Sequence, residues 1–266
     1  MNEQHIFIVR CGEVALKGMN KPYFERMLAE RIRKLLKRKF ADFEVKRQEG
    51  LIFVRADKSY EKEEIIREIS KVFGVASISP AVEAEPALDA IGEAAVAYMK
   101  EAIEERGIQT FKVKAKRADK NFPVKSPEIG RIIGAKILIG CKVLRVDVNH
   151  PDCLLFVDVR HDKAYIYQDK IAGFGGLPLG TNGKGMSLLS GGIDSPVATW
   201  MMAKRGMMIE AIHFHSYPYT SQRAQEKVEE LARIVATYCG RFKMHVINLL
   251  PIQEQIVQNC PEEETT

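Results

Sequence analysis

The spacing of apolar positions changes several times along the chain, and each change marks an element. Residues 5–10 form a short apolar run of strand length. From Pro22 onward Phe24, Met27, Leu28, Ile32, Leu35 and Leu36 recur three and four residues apart, the spacing of one helix face. Two strand-like segments, 43–47 and 51–55, flank Glu49-Gly50 and predict a hairpin. A second helical stretch over 60–73 and a strand over 75–79 complete the order βαββαβ, the ferredoxin-like arrangement.

A second unit runs from residue 80 to about 168. Residues 88–106 place Ile91, Ala94, Ala95, Tyr98 and Met99 on one helical face, and residues 110–115 alternate, with Phe111, Val113 and Ala115 opposite Lys112, Lys114 and Lys116. Pro127 opens another helix carrying Ile132, Ile133 and Ile137. Strands are expected over 143–148, 154–159 and 164–167. Glycine-rich residues 171–185 form a linker or an ordered loop. Beyond them, buried-type strands ending at Leu189, near Phe214 and near Leu249 alternate with helices that begin near Pro196, Gln222 and Pro251, which implies a parallel, doubly wound sheet. The fold class is therefore an α+β N-terminal half followed by an α/β domain. Expected boundaries are 1–60 (extendable to about 79) for the first domain, 61–168 for the second, 169–185 for the linker and 186–266 for the third.

Composition narrows the functional classes. With 266 residues and 46% hydrophobic content, the chain can bury more than one core. No apolar run reaches the roughly 18 residues of a membrane span and the N-terminus opens no signal peptide, so a soluble, cytoplasmic protein is expected. Cys11, Cys141, Cys153, Cys239 and Cys260 show no Cys-x-x-Cys spacing and indicate neither a disulfide frame nor a zinc site. The net charge of +5 is moderate, but its distribution is uneven. Lys112, Lys114, Lys116, Arg117, Lys120 and Lys125 lie within one strand and its exit loop, with Phe122 among them. Like charges on one strand face repel, so such a block suits a polyanion, and an aromatic ring among cations can stack on an unpaired base. A merely solvated strand face is the alternative. The same choice holds for Arg26, Arg31, Arg33, Lys34, Lys37 and Arg38 on the first helix.

The chemistry-bearing stretch is Ser187-Leu188-Leu189-Ser190-Gly191-Gly192-Ile193-Asp194-Ser195-Pro196, an apolar strand end, a small-residue loop and a proline at a helix start. Gly191 and Gly192 permit close backbone approach or positive φ, and Pro196 at the first helical position would make Ser195 the cap. Free loop N–H groups and the positive helix end then converge on one point, as in a phosphate site. The Walker pattern fails at Gly183-Lys184, which is followed by Gly185 where Ser or Thr is needed, and the dinucleotide pattern fails at Gly173-Phe174-Gly175, where Pro178 occupies the third glycine position. Ser190, Gly191, Gly192 and Ser195 can donate to phosphate oxygens. Asp194 is the candidate catalytic residue, and because a bare carboxylate would repel triphosphate, its role would be mediated by Mg²⁺ or would order the loop. His213 and His215 read as ordinary strand residues, and no protein metal site is expected.

The string Ser-Gly-Gly-x-Asp-Ser resembles the PP-loop of the ATP pyrophosphatases, which adenylate a substrate and release pyrophosphate. Residues 111–120, the helix from Ser126 and Val146-Asp147-Val148-Asn149-His150-Pro151-Asp152 are similar to a THUMP domain, a tRNA-binding module. Ferredoxin-like domain, THUMP and PP-loop in this order resemble the tRNA 4-thiouridine synthetase (tRNA sulfurtransferase) family, as does Arg10-Cys11-Gly12-Glu13-Val14-Ala15-Leu16-Lys17-Gly18. The resemblance implies adenylation of O4 of uridine 8 in tRNA, Mg²⁺-ATP as cosubstrate, a cysteine desulfurase as persulfide donor, a homodimer, and a link to sulfur supply for thiamine. It also implies that the adenine lies against Leu188, Leu189, His213 and Phe214. Family members continue through further strands bearing a sulfur-relay cysteine, so the third domain is expected to be incomplete, with an exposed sheet edge. Two alternatives stay open: a tRNA-binding module with an inactive nucleotide site, and a different amidating or thiolating ligase.

Overall fold

The computed structural model describes residues 4–13 and 20–260, so Val14 to Gly18 of the N-terminal motif lie outside the described residues. The first six elements follow the expected order: β1 (Gln4–Cys11), α1 (Lys21–Leu36), β2 (Phe43–Gln48), β3 (Leu51–Asp57), α2 (Lys62–Ser70) and β4 (Val75–Ala84). Strand alternation sorts β1 between two faces. Phe7 and Val9 join Leu28, Ile32, Ile65 and Ile69 of α1 and α2 in one core, whereas Ile6 and Ile8 join Phe53, Tyr165 and Tyr167 on the other side of the sheet.

β4 is longer than its apolar run suggests, and it joins the first two units into one sheet. Its residues 75–81 pair with β1, and residues 82–84 pair with β8 (Ala164–Tyr167). The second unit adds α3 (Leu88–Arg106), β5 (Thr110–Arg117), α4 (Ser126–Gly140), β6 (Arg145–Val146) and β7 (Cys153–Val159). The sheet order is β2-β3-β1-β4-β8-β7-β5-β6, and the short β9 (Ile171–Ala172) pairs with β4. α3 and α4 bury Ile91, Met99, Ile129, Ile133 and Ile137 against Phe111, Leu155 and Ile166. Because Tyr165 and Tyr167 face the other way, all four helices share one face of the sheet.

The strand expected over 143–148 shrinks to Arg145–Val146. Asp147 Oδ1 accepts from the N–H groups of Asn149 and His150 at 2.8 and 2.9 Å, which turns the chain, and Asp152 Oδ2 accepts from Gln109 and Thr110, which pins the turn to the start of β5. The Asp147 and Asp152 carboxylates of this motif thus hold the turn in place.

The expected linker is an ordered seam. Gly173 and Gly175 N–H groups donate to Ala76 and Val75, and the Leu177 N–H donates to Lys204 O at 2.9 Å. Gly176 has φ 78°, and a Cβ there would stand 2.2 Å from Lys204 O, so only glycine fits. The third unit follows with β10 (Lys184–Leu188), α5 (Asp194–Lys204), β11 (Met208–His215), α6 (Gln222–Cys239), β12 (Met244–Asn248) and α7 (Leu250–Asn259). Its strands are parallel in the order β10-β11-β12, which leaves β10 at an edge among the described residues, with Met186 and Leu188 exposed. Ser221 Oγ caps α6 at the Ala224 N–H, and Gly240 at φ 74° ends it.

Candidate functional site

The loop between β10 and α5 lies at the carboxyl end of the parallel sheet, where ligands of such sheets sit. Leu188 pairs with Ile212, and the Leu189 N–H donates to Ile212 O at 2.9 Å, so the ends of β10 and β11 are adjacent. Leu189 is buried while Leu188 and Phe214 are exposed, and the His213 ring Nδ1 lies 3.0 Å from Leu189 O. The structure therefore brings Leu188, Leu189, His213 and Phe214 to one place. It also engages the Leu189 carbonyl with the His213 ring.

The loop folds on its two serines. Ser195 Oγ accepts from the Ser190 N–H at 2.9 Å and lies 3.1 Å from Ser190 Oγ, while the Gly192 N–H reaches Ser190 Oγ at 3.4 Å. This overturns the expected cap. The helix begins at Asp194 with Ile193 at the cap position, and the Ser195 hydroxyl faces back across the loop. Pro196 is consequently the third helical residue, where its missing N–H still costs no intrahelical bond. Gly191 and Gly192 also avoid positive φ, so their value lies in close approach. The N–H groups of Gly191, Ile193, Asp194 and Ser195 take no acceptor among the described residues. They are orphan donors at the positive end of a helix. Thr199 fixes the loop's two flanks by donating to Ser195 O at 2.7 Å and meeting Ser187 Oγ at 2.6 Å.

Asp194, exposed in the first turn of α5, is the loop's carboxylate. Among the described residues no three His, Cys, Asp or Glu side chains cluster as a metal site. A single carboxylate beside phosphate donors suits Mg²⁺ held chiefly by phosphate oxygens and water, and does not suit an all-protein cage.

Sequence reasoning missed Lys227. Its Cδ stands 3.7 Å from where a Cβ on Gly191 would be, beside Val228 Cγ2 at 3.8 Å, so its stem lies on the loop. The sequence places a helix start near Gln222, but nothing in it says that the residue beside Val228 meets the loop.

The cationic strand lies elsewhere, on the sheet face opposite the helices. Lys114 and Lys116 are exposed there, with Lys120 and Lys125 exposed in the exit segment. Three expected members are committed to the fold. Lys112 Nζ donates to Val148 O at 2.8 Å, Arg117 Nη1 donates to Phe122 O at 2.9 Å, and the half-buried Phe122 packs against the second core. On the same open face Phe156 stacks on Tyr167 at 5.1 Å, with Lys170 over Phe156 and Arg10 over Tyr167.

Among the described residues no helix is long and apolar enough to cross a membrane.

Three family models match the chain: a ThiI ferredoxin-like domain over residues 6–79, a THUMP domain over 85–169 and "Thiamine biosynthesis protein (ThiI)" over 180–266. A protein of Alkaliphilus metalliredigens named "Probable tRNA sulfurtransferase" is 49% identical over 263 residues, covering 99% of this chain and 66% of the relative. One of the same name in Alkaliphilus oremlandii is 49% identical, with 99% and 67% covered. The chain thus spans about two thirds of the length of these curated relatives. Among solved structures, a 4-thiouridine synthetase in complex with RNA and bound ATP superposes with a TM-score of 0.86 at 35% identity, covering 99% of this chain and 67% of that one. PH1313 of Pyrococcus horikoshii superposes with a TM-score of 0.82 at 30% identity, covering 96% and 82%.

Proposed function

The chain belongs to the tRNA sulfurtransferase family, and from that premise we propose that it binds tRNA through its first two units and activates a uridine with ATP at the loop of its third. The observation that carries this reading is the Ser190–Ser195 loop, which offers four unclaimed N–H groups at a helix start beside the adjacent ends of β10 and β11. Triphosphate is the ligand such a donor set suits, and Leu188, Leu189, His213 and Phe214 supply a shelf for the adenine.

In the reaction proposed, O4 of uridine 8 attacks the α-phosphorus and the bond to pyrophosphate breaks, with the electron pair leaving on pyrophosphate. The adenylate is a better leaving group than hydroxide, so the terminal sulfur of a persulfide can attack C4 and displace AMP; a thiol then attacks the inner sulfur of the C4-linked disulfide, releasing 4-thiouridine and leaving a disulfide that an external dithiol reduces. The loop N–H groups and the Ser190 and Ser195 hydroxyls hold phosphate oxygens without having to reorganise, which is how fixed donors lower a barrier. Mg²⁺ fits beside Asp194, where it would neutralise phosphate charge; Asp194 would otherwise face the triphosphate as an unbalanced anion. A persulfide from a cysteine desulfurase as sulfur source, a homodimer, a cytoplasmic setting and a second role in thiamine sulfur supply complete the proposal and rest on the family.

For tRNA we propose the open sheet face, with Lys114, Lys116, Lys120 and Lys125 meeting phosphates. Lys112, Arg117 and Phe122 shape that face through their own contacts. We place the boundary between the first two units within β4, because Ile65, Ile66 and Ile69 of α2 belong to the first core, and begin the nucleotide unit near Gly180.

The test is pyrophosphate release from ATP in the presence and absence of tRNA. Release that depends on tRNA is expected, and Asp194→Ala should abolish it while leaving tRNA affinity within about twofold, since the loop and the β5 face are separate. Equal loss of both would break this division of labour, and tRNA binding by the wild type with no pyrophosphate release would favour a binding module.

A further inference from the structure

The loop poses an electrostatic problem. Asp194 is its charged side chain and carries the wrong sign for triphosphate, and the sequence offers no cation within it. Lys184 begins β10 at the opposite end of the strand. A phosphate site that relies on N–H groups and one helix end alone is unusual for a ligand bearing several negative charges, so a cation from another element is expected.

Three observations point to Lys227. Its stem lies in van der Waals contact distance of the Gly191 position, 3.7 Å from Cδ to a Cβ built there. Its side chain is exposed and enters no ion pair among the described residues. Val228 beside it is buried against Leu189 and Ala211, which anchors this turn of α6 over the end of β10. The ammonium is therefore a free cation whose stem rests on the loop, not a solvated surface charge remote from it.

From this we infer that Lys227 is the cation that binds the pyrophosphate portion of ATP. The inference rests on the nucleotide-site reading above and adds a residue and a specificity to it. Gly191 lies in the phosphate part of the loop, while the adenine shelf is formed by strand ends, so Lys227 should discriminate between triphosphate and monophosphate. The charge it faces grows as the bond to the α-phosphorus breaks and pyrophosphate departs, so it serves the leaving group as well as binding. An ammonium is suited to this because it is a compact point charge with rotatable donors.

Titration calorimetry of the whole chain with Mg²⁺-ATP and with AMP tests it. Lys227→Gln should weaken ATP binding about 10- to 100-fold, the range of a charge-assisted bond, and change AMP binding less than threefold; Lys227→Arg should stay within about fivefold of wild type for both. A second measurement avoids variants. Amine acylation read by mass spectrometry should show Lys227 protected by ATP and left reactive with AMP, while Lys243, paired with Glu210 on β11, reacts equally in both. ATP affinity within twofold of wild type in Lys227→Gln, or equal labelling of Lys227 with ATP and AMP, overturns the role while leaving the nucleotide site in place. Failure of the wild type to bind ATP at all removes the nucleotide-site reading, and this role with it.

Discussion

At the scale of single residues, most charged side chains here act on the fold before they act on a ligand. Glu68 is the clearest case, 3% exposed on α2 and within 2.9 Å of both Lys39 and Lys71. Burial alone would raise its pKa, but the two lysines outweigh burial and hold its carboxyl below the ordinary value of 4.5. A depressed folded pKa means the ion pairs stabilise the protein above the unfolded pKa and are lost as pH falls through the folded one. Glu68→Gln should therefore lower stability by about 1–3 kcal/mol at pH 7. The deficit should shrink as the pH falls below 4.5. Urea denaturation at pH 7 and pH 3 checks this, and a deficit equal at both would exclude the ion pairs as its source.

At the scale of elements, periodicity was informative wherever local sequence decides the outcome. The helix over 88–106 was legible to the residue and β5 to within two residues, since one apolar helix face and an apolar/lysine alternation leave little choice, and Gly107 in a left-handed cap closes the helix. What pattern could not reveal were bonds made at a distance. The Asp147 and Asp152 carboxylates convert an expected strand into a turn, β4 runs on past its apolar stretch because β8 supplies a partner, and Ser195 abandons its cap for Ser190. The cationic block shows the same division. Its existence was plain in the sequence, but which members remain free depends on Val148 and Phe122 carbonyls that only folding brings near. This sharpens a test. Replacing Lys114 and Lys116 together by Ala should weaken tRNA binding and flatten the slope of log affinity against log salt by about 1.4–1.8, two phosphate contacts' worth. Arg117→Ala should instead loosen the exit segment with a smaller change in slope. Equal slopes for wild type and the double variant would take β5 off the RNA surface.

At the scale of the whole molecule, the question is how the tRNA surface proposed on one sheet is connected to the ATP chemistry proposed on the other. The seam is aromatic. Phe73, buried in the turn after α2, meets Trp200 of α5 edge-on at 5.3 Å and stacks near Tyr238 of α6 at 6.2 Å, and Phe174 closes the group against Trp200 at 5.7 Å. Polar ties flank it, with Arg31 Nε donating to Leu179 O at 3.1 Å and Arg205 reaching Glu13 at 2.8 Å. α5 begins at the Ser190–Ser195 loop and carries Trp200 two turns later, so one helix links that loop to the first unit. Such packing should make the units unfold together. Trp200 is the chain's single tryptophan, so its fluorescence reports the seam while far-UV circular dichroism reports the whole. The two probes should give one urea midpoint in the wild type. Phe73→Ala removes a large buried ring, costing about 3–5 kcal/mol in the range for such truncations. Because it also cuts the link between units, the fluorescence midpoint should fall below that of circular dichroism. Coincident midpoints in the variant would mean that the two units are held together by the glycine-rich backbone seam and the polar ties, with the aromatic group contributing stability but not coupling.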